Sequence, residues 1–502
     1  MNNRRTFIYQ LAAAGLALSF SSCRGEKNIA DDTTLDAYIP LLIDDENELN
    51  TPVPEGKRSS FGWNYFEIPK NGEAVKFNVP DLPSRSVLPI YLRLFVALEV
   101  RDQLEVTITL AESGRVIGTL PVWYANTMQL FECKLDVEAK RLKKEGLRLT
   151  LSKGNESLYC YDFSAEAGSH IYLDNGEDQD PSKNFIASLC SLKSVNTFGW
   201  MEGCVTDSLD EMGRSGVFPQ ANDALDKHLK LFLPDNKNII YEDYHGRPKD
   251  NVHTNWEGGL PFAAIVKRYP DHPSIKLFTD FCESRIENGK TKGASLTTEG
   301  CYHLAYPLAA IANAKQNKEW FEIALIELDE RIQYLTGVDV VYQRASKNGE
   351  QTSFQNWARG YAWFLLGLVR SYPLLKKSGL FEGDPRLKRI QQAFEEYANV
   401  ALKYQQQDAG WKAYIDLPET SFDASGTAGI ASALMYGYGL GWNVDFNEQK
   451  QLAARERLEK SLTSDGFLKD CCQVNRGGEE LQKGTYRVIS QYAMGLMAHL
   501  YI

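Results

Sequence analysis

Beyond about residue 180 the chain becomes a succession of helical stretches of two alternating kinds, and this alternation restricts its fold more than any other feature. GWMEGCVTDSLDEM, GGLPFAAIVKRY, GCYHLAYPLAAIANA, WARGYAWFLLGLVRSY and SGTAGIASALMYGYGLGW open with glycine and aromatic residues, near positions 199, 256, 300, 357 and 426. Between them stand amphipathic, charged stretches such as KEWFEIALIELDERIQYL and DPRLKRIQQAFEEYANVALKYQ. Eleven stretches show apolar spacing near 3.6 residues, and DALDKHLKLFL (223–233) fits as a twelfth. A solenoid would satisfy the helix count, but no motif recurs at a fixed period. Six hairpins closed into a ring satisfy the alternation as well, with the glycine and aromatic helices inside and the charged ones outside. The expectation is an (α/α)6 toroid over residues 179–502.

The chain before it has a different grammar. PIYLRLFVALEV, QLEVTITLAESGRVIGTLPVWY, LRLTLS and SLYCYDFS are short β-branched or aromatic runs divided by Gly, Asn, Ser and Pro, which argues for a β-sandwich over 51–178. Val137–Leu147, VEAKRLKKEGL, reads as a helical insertion in it. The fold class is therefore α+β multidomain, a sandwich followed by a toroid. Residues 1–23 read as an export signal: Arg4 and Arg5, an apolar run too short to span a bilayer, then small residues before Cys23. Phe20-Ser21-Ser22-Cys23 resembles a bacterial lipoprotein cleavage box and Arg4-Arg5-Thr6-Phe7 a twin-arginine signal. The expectation is lipidation at Cys23, a polar linker over 24–50, and a periplasmic or outer-membrane-anchored protein of a Gram-negative bacterium, touching membrane through its lipid alone. A net charge of −11 without a long basic run argues against nucleic acid as a partner. Seven scattered His residues and no Cys pair at ligand spacing call for no metal, and no cofactor motif is present. A homo-oligomer is compatible with the composition.

W-A-R-G-Y-A-W (357–363), D-A-S-G-T-A (423–428) and S-Q-Y-A-M-G-L (490–496) resemble, in this order, motifs of the unsaturated glucuronyl and rhamnogalacturonyl hydrolases, glycoside hydrolase families 88 and 105. Family 154 β-glucuronidases, with a similar toroid and an N-terminal β domain, are a related resemblance. Both imply removal of a terminal glucuronic acid, saturated or unsaturated, from plant or algal oligosaccharides. The chain departs from families 88 and 105 at their catalytic aspartates. Glu299 stands one place before the expected position in TEGCYHLAYP, and Glu257 stands near the second in DNVHTNWEGG.

Glycoside hydrolysis needs two carboxyl groups across a pocket, one protonated and one ionised. Glu257 and Glu299 each open an inner helix, so a ring would bring both to one mouth; the plain structural alternative for each is helix-end capping. His303 is the candidate proton shuttle or hydroxyl ligand, and His253 and Asn255 sit in a loop beside Glu257. Arg359 offers a planar fork to a uronate carboxylate. Trp200, Trp256, Trp357, Trp363 and Trp411 are candidate sugar-stacking faces, with core packing as the alternative for any one of them. Gln343 and Arg344 are candidate contacts to sugar hydroxyls, and Asp423 is either a cap or a pocket residue. Two rival readings stand beside the hydrolase: a polysaccharide lyase using Tyr302 and His303 as its base pair, and a non-catalytic glycan-binding lipoprotein.

Overall fold

The computed structural model describes residues 38–44, 49–80, 89–174, 180–243, 245–287, 290–293, 295–349 and 352–502. The signal segment 1–23, with Cys23, lies outside the described residues. Antiparallel strands dominate the described residues up to Asp174. One sheet runs in the order 38–40, 171–174, 90–95, 130–135, and a second in the order 42–43, 75–78, 147–153, 103–110, 116–123. Gln103–Leu110 shows why: Leu104, Val106, Ile108 and Leu110 are buried while the intervening residues face outward, the period-2 pattern of a half-buried strand. The helical insertion is present as Ala139–Glu145, which seats Leu142 in the core.

The expected linker 24–50 is corrected at its end. Tyr38–Pro40 pairs with Ile171–Asp174 and Leu42–Ile43 with Val75–Asn78, so the chain enters as the edge strand of one sheet and then of the other. Burial of Ile39 and Leu41 explains it.

Six helices of the second half touch in cyclic order: Trp200–Ser215, Pro261–Arg268, Tyr306–Lys315, Ala358–Lys377, Ala424–Gly439 and Gln491–Ala498, which returns to the first. Each carries an outer partner, in the same order Gln220–Phe232, Ser274–Arg285, Lys318–Leu335, Pro385–Lys403, Glu448–Glu459 and Pro181–Leu189. The glycines of the inner helices serve this closeness. A Cβ on Gly203 would overlap Leu260, one on Gly367 would overlap Cys301, one on Gly429 would overlap Ala362, and one on Gly495 would overlap Cys204.

The ring is tied by a buried polar hub to which five inner helices and the turn after the sixth contribute. Asp207 accepts from Tyr302 (2.7 Å), Tyr306 (2.8 Å) and Arg370 (2.9 Å). Lys267 reaches the Tyr306 hydroxyl at 3.1 Å, Arg370 lies over the Tyr436 ring, and Tyr436 pairs with His499 just past the last helix. Burial alone would raise the Asp207 carboxyl, but Arg370 and Lys267 outweigh it and hold it well below the usual range.

The sandwich is fastened to the ring by buried polar contacts. Arg93, fully enclosed, joins Asp174 (2.9 Å) to Asp465 (3.0 Å) of the helical half. Gln491 donates to the Met128 carbonyl at 2.6 Å, and Trp123 stacks on Tyr486 with ring centres 4.4 Å apart.

Candidate active site at the helix entries

Three short segments assemble the acidic pair. Trp256–Gly259 is a single 3-10 turn, held by Asn255, whose side-chain oxygen accepts from the Gly258 N–H at 2.7 Å. The His253 ring donates from Nε2 to the Asn255 carbonyl at 2.7 Å and is walled by Phe262, Phe278 and Phe281. These two residues, expected to touch substrate, shape the turn that presents Glu257. The His253 imidazole is pushed down to about 4 by burial and stays neutral. Since Asn255 does the capping, Glu257 is not needed for it.

Glu299 follows the strand Ser295–Thr297, which pairs with Val340–Ser346 so that Thr297 faces Arg344. One step further, the Thr298 N–H bonds the Gln343 carbonyl at 2.9 Å, and the Gln343 amide donates to both Glu299 oxygens, at 2.7 and 2.8 Å. Gln343 was expected on a sugar hydroxyl; it is 2% exposed and holds the carboxylate instead. Arg344 is exposed beside it.

The pair interacts. Burial first, and Glu299 second, push the half-buried Glu257 carboxyl up to about 7, while Arg344 and Arg476 oppose them. Burial raises Glu299 too, against its own backbone N–H, the Gln343 amide and Arg344. The charge of Glu299 thus favours the protonated form of Glu257, while the Gln343 amide favours the charged form of Glu299.

Past Glu299 the helix opens with a wide π-type turn, Cys301–Ala305, a feature that re-aims side chains. His303 is 1% exposed, stacked parallel to Trp200 and edge-on to Trp363, and neither ring nitrogen has a partner among the described residues. Burial pushes its imidazole down to about 3, so it is a neutral donor and acceptor. Tyr302 gives its hydroxyl to Asp207 in the hub, which removes it from the base pair that a lyase would need.

The structure corrects three further expectations and decides a fourth between its two stated alternatives. Arg359 is 1% exposed and spent on the chain itself: Nη1 donates to the Cys472 carbonyl and the Tyr492 hydroxyl, both at 2.7 Å, and Nη2 to the Gln473 carbonyl at 2.7 Å. Trp357, under that guanidinium, packs on Ala413, Tyr414 and Cys472 rather than on a sugar. Trp411 is fully buried and donates to the Ala401 carbonyl at 2.8 Å. Asp423 is a cap, accepting from the Ser425, Gly426 and Cys472 N–H groups. Trp363 is buried as well, but as a wall of His303; of the five tryptophans, Trp200 and Trp256 remain half-buried. Arg476 was missed, because its loop, VNRGGEE, has no helical or strand pattern to mark it.

A cleft of about 1180 Å3 opens elsewhere, between the sandwich and the Pro181–Phe232 region, lined by Arg58, Phe61, Lys193 and Lys230 among others. Among its described lining residues Glu166 is the sole carboxylate, so it lacks the pair that glycosidic chemistry requires.

Residues 300–502 match the family model Glycosyl Hydrolase Family 88, a match that begins just after Glu299. A search of curated protein sequences found no match. Among solved structures, one described as a possible member of the GH105 family from Salmonella enterica serovar Paratyphi A superposes with a TM-score of 0.52 at 15% identity, over 62% of this chain and 82% of that one. A second possible GH105 member, from Klebsiella pneumoniae, gives 0.51 at 14% identity over 61% and 81%. A family 105 glycoside hydrolase of C. acetobutylicum gives 0.50 at 16% identity over 64% and 98%. At these identities the likeness is one of fold. The match over residues 300–502, the shared fold and the two carboxyls at the helix entries agree on a glycoside hydrolase, similar to family 88 over that part of the chain.

Proposed function

We propose that the chain removes a terminal uronic acid from an oligosaccharide, with Glu257 as proton donor and Glu299 as the ionised partner. The observation that carries this is the interacting pair itself, one carboxyl pushed up to about 7 and the other clasped by the Gln343 amide. Glu257 gives its proton to the departing glycosidic oxygen as that bond breaks. Glu299 either takes a proton from the attacking water or bonds the anomeric carbon itself and is then released by water. The neutral His303, between Trp200 and Trp363, supplies a hydrogen bond to a sugar hydroxyl, and Trp200 an apolar face for the ring.

Uronic acid as the sugar, exo-action and a plant or algal source rest on the resemblance to families 88, 105 and 154. The closed cycle of six inner and six outer helices supports reading the helical half as an (α/α)6 toroid. Export and lipidation at Cys23 remain part of the proposal.

The test is turnover of 4-nitrophenyl β-glucuronide, and of an unsaturated uronyl disaccharide followed by loss of its absorbance near 235 nm. Wild type should cleave at least one, and Glu257→Gln and Glu299→Gln should each lose about 100-fold or more in kcat. Full activity in both variants would remove these residues from the site. A gain of absorbance near 235 nm from an acidic polysaccharide would make the enzyme a lyase.

A further inference from the structure

The cleft between the sandwich and the first helices lacks a carboxyl pair, yet it has the walls of a binding site. Its volume is about 1180 Å3. That exceeds the roughly 300–1000 Å3 of a small-ligand pocket and suits an extended chain.

One wall is the sandwich loop that carries Phe61, and this loop is fastened to the helical half. Arg58 forks onto Asp250 with two bonds of 2.7 Å, and the Ser60 hydroxyl donates to Glu242 at 2.7 Å. Phe61 has a left-handed backbone, with φ of 59°, which a bulky residue keeps only where its surroundings hold it. Its ring meets those of Trp63 and Phe232 edge-on, at 5.2 Å between centres in each case, and stays half-buried on the cleft. With Leu192, Leu231 and Ile240 it gives the cleft an apolar floor of the kind on which sugar rings pack.

The other wall is basic. Arg58 and Lys193 line the cleft but are engaged by the chain, the first with Asp250 and Glu242, the second over the Tyr172 ring at 4.2 Å. Lys227 and Lys230 are different. They stand one turn apart on Gln220–Phe232, both exposed, with no ion-pair partner among the described residues. Like charges at this spacing disfavour each other, a cost that an anion bound between them removes. Two ammonium groups thus stand against the single lining carboxylate, Glu166, on a chain whose net charge is −11. Both helical segments of the wall run on into the candidate active site, Leu192–Ser194 toward Trp200 and the stretch after Pro234 toward Glu257.

We propose that this cleft is a second, non-catalytic carbohydrate site that holds an acidic glycan chain, with Lys227 and Lys230 on its carboxylates and Phe61 against a sugar ring. It keeps a polyuronate on the enzyme while a chain end is cleaved at Glu257 and Glu299. The choice of an acidic glycan as the anion rests on the proposed function.

The test is binding of polygalacturonate and of its methyl ester, a neutral chain of the same sugar, by affinity electrophoresis. Turnover of 4-nitrophenyl β-glucuronide is measured alongside. Wild type should be retarded by the polyuronate and not by the ester, and less so as salt is raised. Lys227→Gln/Lys230→Gln should weaken binding about tenfold or more, at least the worth of one charge-assisted hydrogen bond. Its glucuronide turnover should not change, since that substrate has no chain to lay in the cleft. Phe61→Ala should weaken polyuronate binding too, and Glu257→Gln should leave it intact. If the double variant binds polyuronate as wild type does, if the ester binds equally well, or if wild type binds neither, the inference fails and the hydrolase reading is judged by turnover alone. If polyuronate binds through the two lysines but no uronide is cleaved, the hydrolase reading fails and the inference stands. If phosphatidylglycerol vesicles hold the protein through these lysines while polygalacturonate does not, the cleft is a membrane contact and the inference fails.

Discussion

The protonation of Glu257 has a consequence for stability that separates catalysis from capping. Its carboxyl stands at about 7 instead of 4.5, an interval worth about 3 kcal/mol in favour of the neutral form. Because the folded value lies above the unfolded one, the contribution is fully present below pH 4.5 and is lost as the pH rises through 7, where the folded state must carry a buried charge beside Glu299. Glutamine has nearly the same shape and never ionises. Glu257→Gln should therefore match wild type in stability at pH 4.5 and exceed it at pH 8 by up to about 3 kcal/mol, while losing turnover. The assay is urea unfolding of both proteins at the two pH values, followed by tryptophan fluorescence, with the pH dependence of the gap between them as the readout. The gap cancels whatever else titrates in both. A capping glutamate gives the opposite sign: ionised at the start of a turn it would be stabilising, and its replacement would cost about 0.5 kcal/mol at pH 8. A gap that is equal at the two pH values, or a wild type that gains on the variant as the pH rises, would refute the placement of the proton.

Two further perturbations probe the neighbours. Gln343→Leu removes both amide bonds that favour the charged form of Glu299; its carboxyl should rise, so the acid limb of kcat/KM should move to higher pH, with kcat at neutral pH down by about tenfold or more. Arg359→Leu leaves the Cys472 and Gln473 carbonyls and the Tyr492 hydroxyl without their buried donor. It should lower stability by about 3–5 kcal/mol, read by urea unfolding; a stable variant whose sole defect is a raised KM for the uronide would return Arg359 to the substrate.

Much of the architecture was legible in residues 180–502 because each helix announces its own environment. Glycines stand in the first turns of inner helices where a neighbour is too close for a Cβ, as at Gly203 against Leu260 and Gly426 against Ala358, and the outer helices carry charge because one face meets water. The hub was not legible. Asp207, Arg370 and Tyr306 are polar residues on helices whose pattern says buried, and what reconciles them is that each bonds the other two across three helices, which spacing along one segment does not reveal. The two glutamates were legible at glycine-rich entries to neighbouring inner helices, the second and third of the cycle. Their division of labour was not, because it depends on the Gln343 amide arriving from a strand pairing that no local pattern marked.

Arg359 shows most clearly why a motif can be located correctly and read wrongly. A guanidinium's planar fork suits a carboxylate, but it suits converging carbonyls equally well, and the choice is set by which acceptors the fold brings within 3 Å. Here the acceptors are the Cys472 and Gln473 carbonyls, more than a hundred residues away along the chain, together with the hydroxyl of Tyr492 on the last inner helix. The residue thus stitches the fourth inner helix to the sixth, across the fifth, where Ser425 also accepts from it at 3.4 Å, and it fixes the segment Cys472–Gln473 against all three.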